Sequence, residues 1–294
     1  MTQTQTPASS LSVQAFFDRA TNTVSYLVAD PVSRVAAIID PVLDFDPKAA
    51  RVSTASADAV LAAVSAQGLD LQWVLETHAH ADHLSAADYI RAQTGARIVI
   101  GAEIIRIQKG FAPLFEADDV DLSGGAFDRL VSEGDELPLG GLTVSVMHTP
   151  GHTPGCVSYR IEDAVFVGDT LFMPDYGTAR ADFPGGDAAT LYRSIRKILA
   201  LPDTTRIFVG HDYLPAGRET YVWQTTVAEQ KASNVHVHDG VDAAAFVALR
   251  TARDATLSPP VLILPSLQVN IRAGALPPAE PSGRVFLKLP VNAL

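Results

Sequence analysis

A single cysteine, Cys156, stands among 294 residues, which excludes an internal disulfide framework and fits a reducing compartment. Basic residues are scarce as well: 22 against 33 acidic ones, for a formal charge of −11. That balance argues against a nucleic-acid or anionic-membrane partner. It leaves room for a small anionic substrate, because one placed arginine acts locally. No apolar run is long enough to span a bilayer. Positions 1–10 carry neither the basic and apolar regions of a secretory signal nor the arginines of a mitochondrial transit peptide, so a cytoplasmic protein is expected. The length permits a sizeable core in one large or two modest domains.

What the chain does have is a concentration of imidazoles and carboxylates. His78-Ala79-His80-Ala81-Asp82-His83 follows the apolar run Trp73-Val74-Leu75-Glu76-Thr77. Three further ligand-type residues recur in order: His152 after Thr149-Pro150-Gly151, Asp169 after Phe166-Val167-Gly168, and His211 after Phe208-Val209-Gly210. Each follows a β-rich apolar stretch closed by Gly or Thr. Strands that finish at one sheet edge deliver such side chains to one point, and glycine lets the backbone turn close to a metal. One His-x-His is a weak signal, whereas four repetitions of this pattern predict a metal site.

Periodicity and punctuation predict strands over 23–29 and 35–39 after a disordered lead (1–12), with helices over 57–67, 84–94, 103–115 and 187–199. Between 128 and 169 the pattern is β-rich, with a hairpin turning at Glu162-Asp163. The order of elements suits two sheets between helices. Residues 13–230 are expected to form this sandwich, with 231–294 as a C-terminal extension packed on it. Prolines at 259, 260, 265, 277, 278, 281 and 290 break that extension into short extended pieces. Within it, 261–264 is the expected apolar anchor, and Gln268, Asn270 and Arg272 alternate on one polar side bordering the substrate entrance or a dimer contact. His236 and His238 are expected at the surface or in a polar contact, and His148 in a structural role. Asp40 is expected to support the His78 loop by hydrogen bonding, and Cys156 to be buried and inert.

The ordered set His-x-His-x-Asp-His, His, Asp, His resembles the metallo-β-lactamase superfamily from about Val24 to Tyr213, implying an α/β fold, the αββα sandwich. Seven candidate ligands allow two chemistries. A glyoxalase II-like thioester hydrolase would bind two metals, with His78, His80 and His152 on one, Asp82, His83 and His211 on the other, and Asp169 bridging. A mononuclear iron oxygenase would use two imidazoles and one carboxylate, which suits His78, His152 and Asp169. Counting ligands does not separate them.

The segment Tyr176-Gly177-Thr178-Ala179-Arg180-Ala181-Asp182-Phe183 is similar to the Arg-x-Asp-Phe signature of the persulfide dioxygenases, as is His211-Asp212-Tyr213. Arg253-Asp254-Ala255-Thr256-Leu257 and Leu264-Pro265-Ser266-Leu267-Gln268-Val269-Asn270 resemble their bacterial branch. The resemblance implies oxidation of glutathione persulfide by O2 to sulfite and glutathione, with one Fe(II) per chain on His78, His152 and Asp169. His80, Asp82, His83 and His211 would then surround the iron without ligating it. Arg180 is the candidate for binding a glutathione carboxylate, against an ion pair with Asp182, and Tyr213 the candidate neighbour of the sulfur. A homodimer is expected. The hydrolase alternative calls for a helical C-terminal domain, for which a proline-broken extension is a poor candidate.

Overall fold

The computed structural model describes residues 11–292. In chain order the elements are β1 (Ser12–Asp18), β2 (Thr23–Ala29), β3 (Val35–Ile39), β4 (Val42–Asp46), β5 (Arg51–Ser53), α1 (Ala55–Ala66), β6 (Asp70–Leu75) and β7 (Leu84–Ser85). There follow α2 (Ala87–Thr94), β8 (Arg97–Gly101), α3 (Ile104–Phe111), β9 (Arg129–Val131), β10 (Glu136–Leu139), β11 (Leu142–His148), β12 (Val157–Ile161) and β13 (Ala164–Phe166). The chain ends with α4 (Ala188–Leu199), β14 (Arg206–Phe208), β15 (Gln224–Thr226), α5 (Val227–Ser233), α6 (Ala243–Asp254) and α7 (Ile263–Asn270). Two six-stranded sheets result, ordered β1-β2-β3-β6-β8-β9 and β10-β11-β12-β13-β14-β15, beside a small sheet of β5, β4 and β7. No helix among the described residues is long and apolar enough to cross a membrane.

Alternation along the strands builds the layers. In β2 and β3, Tyr26, Val28, Ala37 and Ile39 point between the sheets, where they meet Trp73, Tyr159, Phe166 and Phe208. Their neighbours Leu27, Ala29, Ala36 and Ile38 point the other way, onto Val60 of α1, Ile90 of α2 and Ile107 of α3. On the second sheet Val165 and Ile207 face Leu191, Ile195 and Ile198 of α4 and Phe246 of α6. A period of two in strands buried on both faces therefore gives three apolar layers and the expected αββα sandwich.

Strand directions gather the ligand loops. β3 and β6 run parallel with Ile39 opposite Leu75, so Asp40 and the loop after Glu76 leave the same edge. β13 and β14 are parallel with Phe166 opposite Phe208, which does the same for Asp169 and His211. β11 is antiparallel to β12, and β12 to β13, so the end of β11 also points to that edge and delivers His152.

Several sequence-based expectations change. The lead expected over 1–12 falls mostly outside the described residues, but Leu11 is buried and Ser12 opens β1, a strand missed because its half-buried residues mix polar and apolar types. The helix expected over 84–94 divides into β7 and α2, since Leu84 and Ser85 pair with β4. The extension differs most. Instead of extended pieces it holds α6 and α7, and the 261–264 anchor fails at Val261, which is 89% exposed. Pro265 does not break α7 because it lies in the first helical turn, where a missing N–H costs no intrahelical bond. The buried anchors are Leu267, Val269 and Ile271, which join the outer core of the first sheet.

Candidate metal centre

The His78 loop is held from three sides. Thr77 donates from its N–H and its Oγ1 to the two oxygens of Asp40, at 2.7 and 2.8 Å, and the Tyr159 hydroxyl donates to the Glu76 carbonyl at 2.9 Å. Asp40 itself adopts φ +48°, a left-handed conformation that short polar side chains tolerate, and this turn aims its carboxylate at the loop. From the extension, the Asn270 amide donates to the carbonyls of His80 and His83 at 2.7 and 2.8 Å, while its oxygen accepts from Ser85 N–H at 2.8 Å. Across the site, Gly168 is fixed by space and conformation: at φ +49° a Cβ there would stand 2.4 Å from Thr77 Oγ1.

His78, His152 and Asp169 form one donor group, each offering an atom within 4.8 Å of the others. Thr77 Oγ1 gives its hydrogen to Asp40 and so accepts from His78 Nδ1, at 3.0 Å. His152 Nδ1 donates to the Arg180 carbonyl at 2.8 Å. Both rings are thereby set in the tautomer whose Nε2 lone pair faces Asp169, at 3.9 Å for His78 and 3.6 Å for His152. His80, Asp82, His83 and His211 form a second group of the same tightness. His211 Nε2 lies 3.1 Å from both Asp82 and Asp169.

The buried Nε2 atoms of His78, His83 and His211, Nδ1 of His80 and Oδ1 of Asp169 make no hydrogen bond. Buried polar atoms are rarely left so, and a cluster of imidazole lone pairs and carboxylates is the donor set of a transition-metal cation. The electrostatics agree. Burial alone would depress His211, yet the charges of Asp169 and Asp82 hold it up at about 9, and Asp169 lies well below the ordinary carboxylate range against its own desolvation, through His211, His78 and His152. Two closely spaced carboxylates, Asp169 buried and Asp82 half-buried, demand positive charge between them, which a divalent cation would supply. The residues therefore fit a bound metal.

His80 is distinct. Its Nε2 lies 3.0 Å from Asp40 and 3.4 Å from Glu76, a carboxylate the sequence reading left unassigned. Against the desolvation of burial, Asp40 and then Glu76 hold His80 well above its ordinary range. Ser85 Oγ donates to the other Glu76 oxygen.

Around the ligands, Ala81, Asp82, His152, Asp169, Phe172 and Tyr213 border a cavity of 150 Å³. It adjoins a 500 Å³ groove that shares Ala81, His152, Arg180, Leu257 and Pro260 with it. The extension thus forms one wall. Tyr213 stacks on His211 with ring centroids 5.5 Å apart and on Tyr176 at 4.8 Å. The Arg180 fork is already engaged: Nε and Nη2 donate to Asp182 at 2.5 and 2.7 Å, and Nη1 to the Ser258 carbonyl at 2.7 Å.

Other expectations sort plainly. Cys156 is buried, and desolvation pushes its thiol up to about 12, which makes it a poor nucleophile. His148 uses Nε2 on the Pro154 carbonyl at 3.0 Å. His236 is buried and accepts from Thr178 N–H at 3.1 Å, whereas His238 is exposed. Gln268, Asn270 and Arg272 do not share one polar side. They lie on or just beyond α7 and are buried: Gln268 bonds to the Lys288 backbone, Arg272 pairs with Asp119, and Asn270 clamps the ligand loop. The sequence signal for that helix was the spacing Leu264, Leu267, Ile271, which the prolines masked.

Comparisons with known proteins agree with this architecture. The chain is 53% identical to a probable metallo-hydrolase of Burkholderia pseudomallei, over 97% of its own length and 100% of that protein. It is 45% identical to a Dictyostelium discoideum protein named Glyoxylase B2, over 96% and 97%. With the mouse mitochondrial persulfide dioxygenase ETHE1 it shares 34% identity over 68% of each chain. Among solved structures, ETHE1 from Myxococcus xanthus superposes with a TM-score of 0.72 at 31% identity, covering 90% of this chain and all of that one. Residues 18–211 match the Metallo-beta-lactamase superfamily, and with the seven-residue donor set on one edge of an αββα sandwich the chain belongs to that superfamily.

Proposed function

We propose that the protein is a mononuclear non-heme iron persulfide dioxygenase, converting glutathione persulfide, O2 and water to sulfite, glutathione and two protons. The observation that carries this reading is the separate grouping of His78, His152 and Asp169, whose tautomers are fixed by Thr77 and the Arg180 carbonyl. These three residues would hold the metal. Iron(II) bound there would supply the redox chemistry that lets dioxygen react with a sulfur donor. The likeness to the mouse persulfide dioxygenase and to Myxococcus ETHE1 supports the same reading.

The protein's own residues have three tasks in it. Asp40 and Thr77 orient His78, and the Arg180 carbonyl orients His152, so that the donor atoms converge without reorganisation. The carboxylates of Asp40 and Glu76, 3.0 and 3.4 Å from His80 Nε2, act on it by their charge and keep it beside the triad. Phe172, Tyr213 and Phe183 give the cavity and groove apolar walls, which exclude water from a reactive sulfur, and the two spaces together suit a ligand of tripeptide size. Arg180 is held by Asp182 and Ser258, and its role here is to position His152 and the Ser258 segment of the wall.

A second reading, a dinuclear thioester hydrolase, has a specific observation in its favour: His80, Asp82, His83 and His211 form a second donor group beside the first. The relatives named metallo-hydrolase and Glyoxylase B2 favour it too. Moreover the extension is helical, so its proline content no longer counts against that alternative. Metal content together with oxygen uptake decides between them. About one iron per chain and rapid O2 consumption with glutathione persulfide are expected; two zinc ions per chain with thioester cleavage and no O2 uptake would overturn the proposal.

A further inference from the structure

Three arginines border the cavity over the ligand triad: Arg180, Arg250 and Arg253. This is notable in a chain of net charge −11. Two of them are committed. Arg180 is closed by Asp182 and Ser258, and Arg250, only 1% exposed, is closed by Asp254 and the Thr178 carbonyl. Arg253 lies one turn along α6 from Arg250 and is exposed at the cavity, and no carboxylate among the described residues pairs with it. The nearby acids are spoken for: Asp182 by Arg180, Asp254 by Arg250 and the Ala181 N–H, and Asp82 and Asp169 by the donor set. A ligand that reaches from the metal to the mouth therefore meets one uncompensated positive charge, on a planar fork shaped for a carboxylate.

From this arrangement we infer that Arg253 is the carboxylate-recognition residue of the site, selecting small thiol-derived substrates that carry an acid group away from the reacting sulfur. The reading rests on the proposed function only in the choice of persulfide as substrate. The carboxylate slot itself follows from the charge accounting of the cavity wall. Tyr176 and Tyr213, stacked on one another, line the same cavity between the metal and Arg253's end of the wall. The cation that reads the substrate thus comes from the C-terminal extension, whereas the metal ligands come from the sandwich. Arg253 also sits in the last turn of α6, where any cation is favourable to the helix terminus. A role confined to that terminus would lower thermal stability and would not distinguish between substrates.

The test compares the iron-loaded wild type with Arg253→Gln and Arg253→Lys on two substrates, glutathione persulfide and the carboxylate-free persulfide of 2-mercaptoethanol, and measures the affinity of glutathione itself by calorimetry. For Arg253→Gln the KM for glutathione persulfide is expected to rise about tenfold to a hundredfold with kcat within about twofold, as for loss of a charged hydrogen bond outside the reacting atoms. The 2-mercaptoethanol persulfide is expected to show no change in kcat/KM. Arg253→Lys keeps the charge without the fork and falls between. Equal losses on both substrates, or no loss on either, would overturn the inference. Should the wild type oxidise no persulfide, the functional proposal fails, yet the slot is still read by glutathione affinity. A tenfold weaker glutathione in Arg253→Gln would sustain it, and unchanged affinity, or no binding by the wild type, would overturn it.

Discussion

Asn270 gives the sharpest test of whether the extension helps to build the metal centre. Its amide satisfies the carbonyls of His80 and His83 and the N–H of Ser85, residues that are all buried. Replacing it with alanine strands three buried groups, at about 1–3 kcal/mol each, or about 3–9 kcal/mol if nothing relaxes. A water admitted to the vacated space restores part of this, so the lower end, about 3 kcal/mol, is expected. Asn270→Asp discriminates better because it conserves volume. Its carboxylate still accepts from Ser85, but the oxygen that replaces Nδ2 faces two carbonyl oxygens at 2.7–2.8 Å, exchanging two attractions for two repulsions. Metal retention is therefore expected to fall in the order wild type, Ala, Asp. The assay is metal per chain against graded chelator, set beside thermal melts of the metal-stripped proteins, so that a change in folding is separated from displacement of the ligand loop. About 3 kcal/mol placed on the loop moves the chelator midpoint by about a hundredfold. An aspartate variant that keeps metal as well as the alanine variant would refute the reasoning, because loss of packing would then explain everything.

Four further outcomes are expected. His152→Ala and Asp169→Ala should each abolish iron binding and activity together, while His80→Ala should keep substantial metal and lose rate; a His80→Ala protein as empty as His78→Ala would favour the two-metal coordination. Arg180→Lys, which breaks the paired contact with Asp182 and the tie to Ser258, should lower the melting temperature by an amount matching about 1 kcal/mol, and a large change in KM at unchanged stability would instead assign Arg180 to substrate. His236 is held at about 4 by burial and by the nearby Arg250 and Arg253 charges; its unfolded form titrates near 6.5, so protons favour the unfolded chain between these values. Its contribution to stability is thus complete above about 6.5 and is lost as pH falls toward 4, and denaturant midpoints of His236→Asn should show a shallower pH slope in that window, equal slopes counting against the argument. Truncation after Ser258 removes Leu267, Val269, Ile271 and Asn270 together and should yield no folded protein; a stable, metal-replete product would show the extension to be dispensable.

The donor residues were legible in the sequence because a strand-end metal site imposes a local pattern. Each candidate donor must follow an apolar strand and a tight turn, so His78, His152, Asp169 and His211 each announce themselves within a few residues. The αββα layering was legible for the same reason, since strands buried on both faces need apolar residues at nearly every position, as in β2 and β3. What lies beside the ligands was not legible, because its signal is non-local. Nothing near Glu76 says that its carboxylate will meet His80 below the site, and nothing near Asn270 says that it will reach a loop some 190 positions earlier in the chain. The misreading of the extension has a more specific cause. Proline breaks a helix only where its missing N–H would be used: Pro259 and Pro260 precede α7, and Pro265 occupies its first turn, where no N–H is needed. Read that way, the spacing of Leu264, Leu267 and Ile271 becomes one face of a helix, and Asn270 becomes a polar residue among buried ones. A polar side chain carried by a buried helix must find partners there, and Asn270 finds them in the carbonyls of His80 and His83, on a loop whose imidazoles turn inward to the candidate metal site. The clamp is thus a consequence of the metal site itself: a loop that bends its histidines to one centre exposes its own backbone on the other side, and α7 supplies what that backbone lacks.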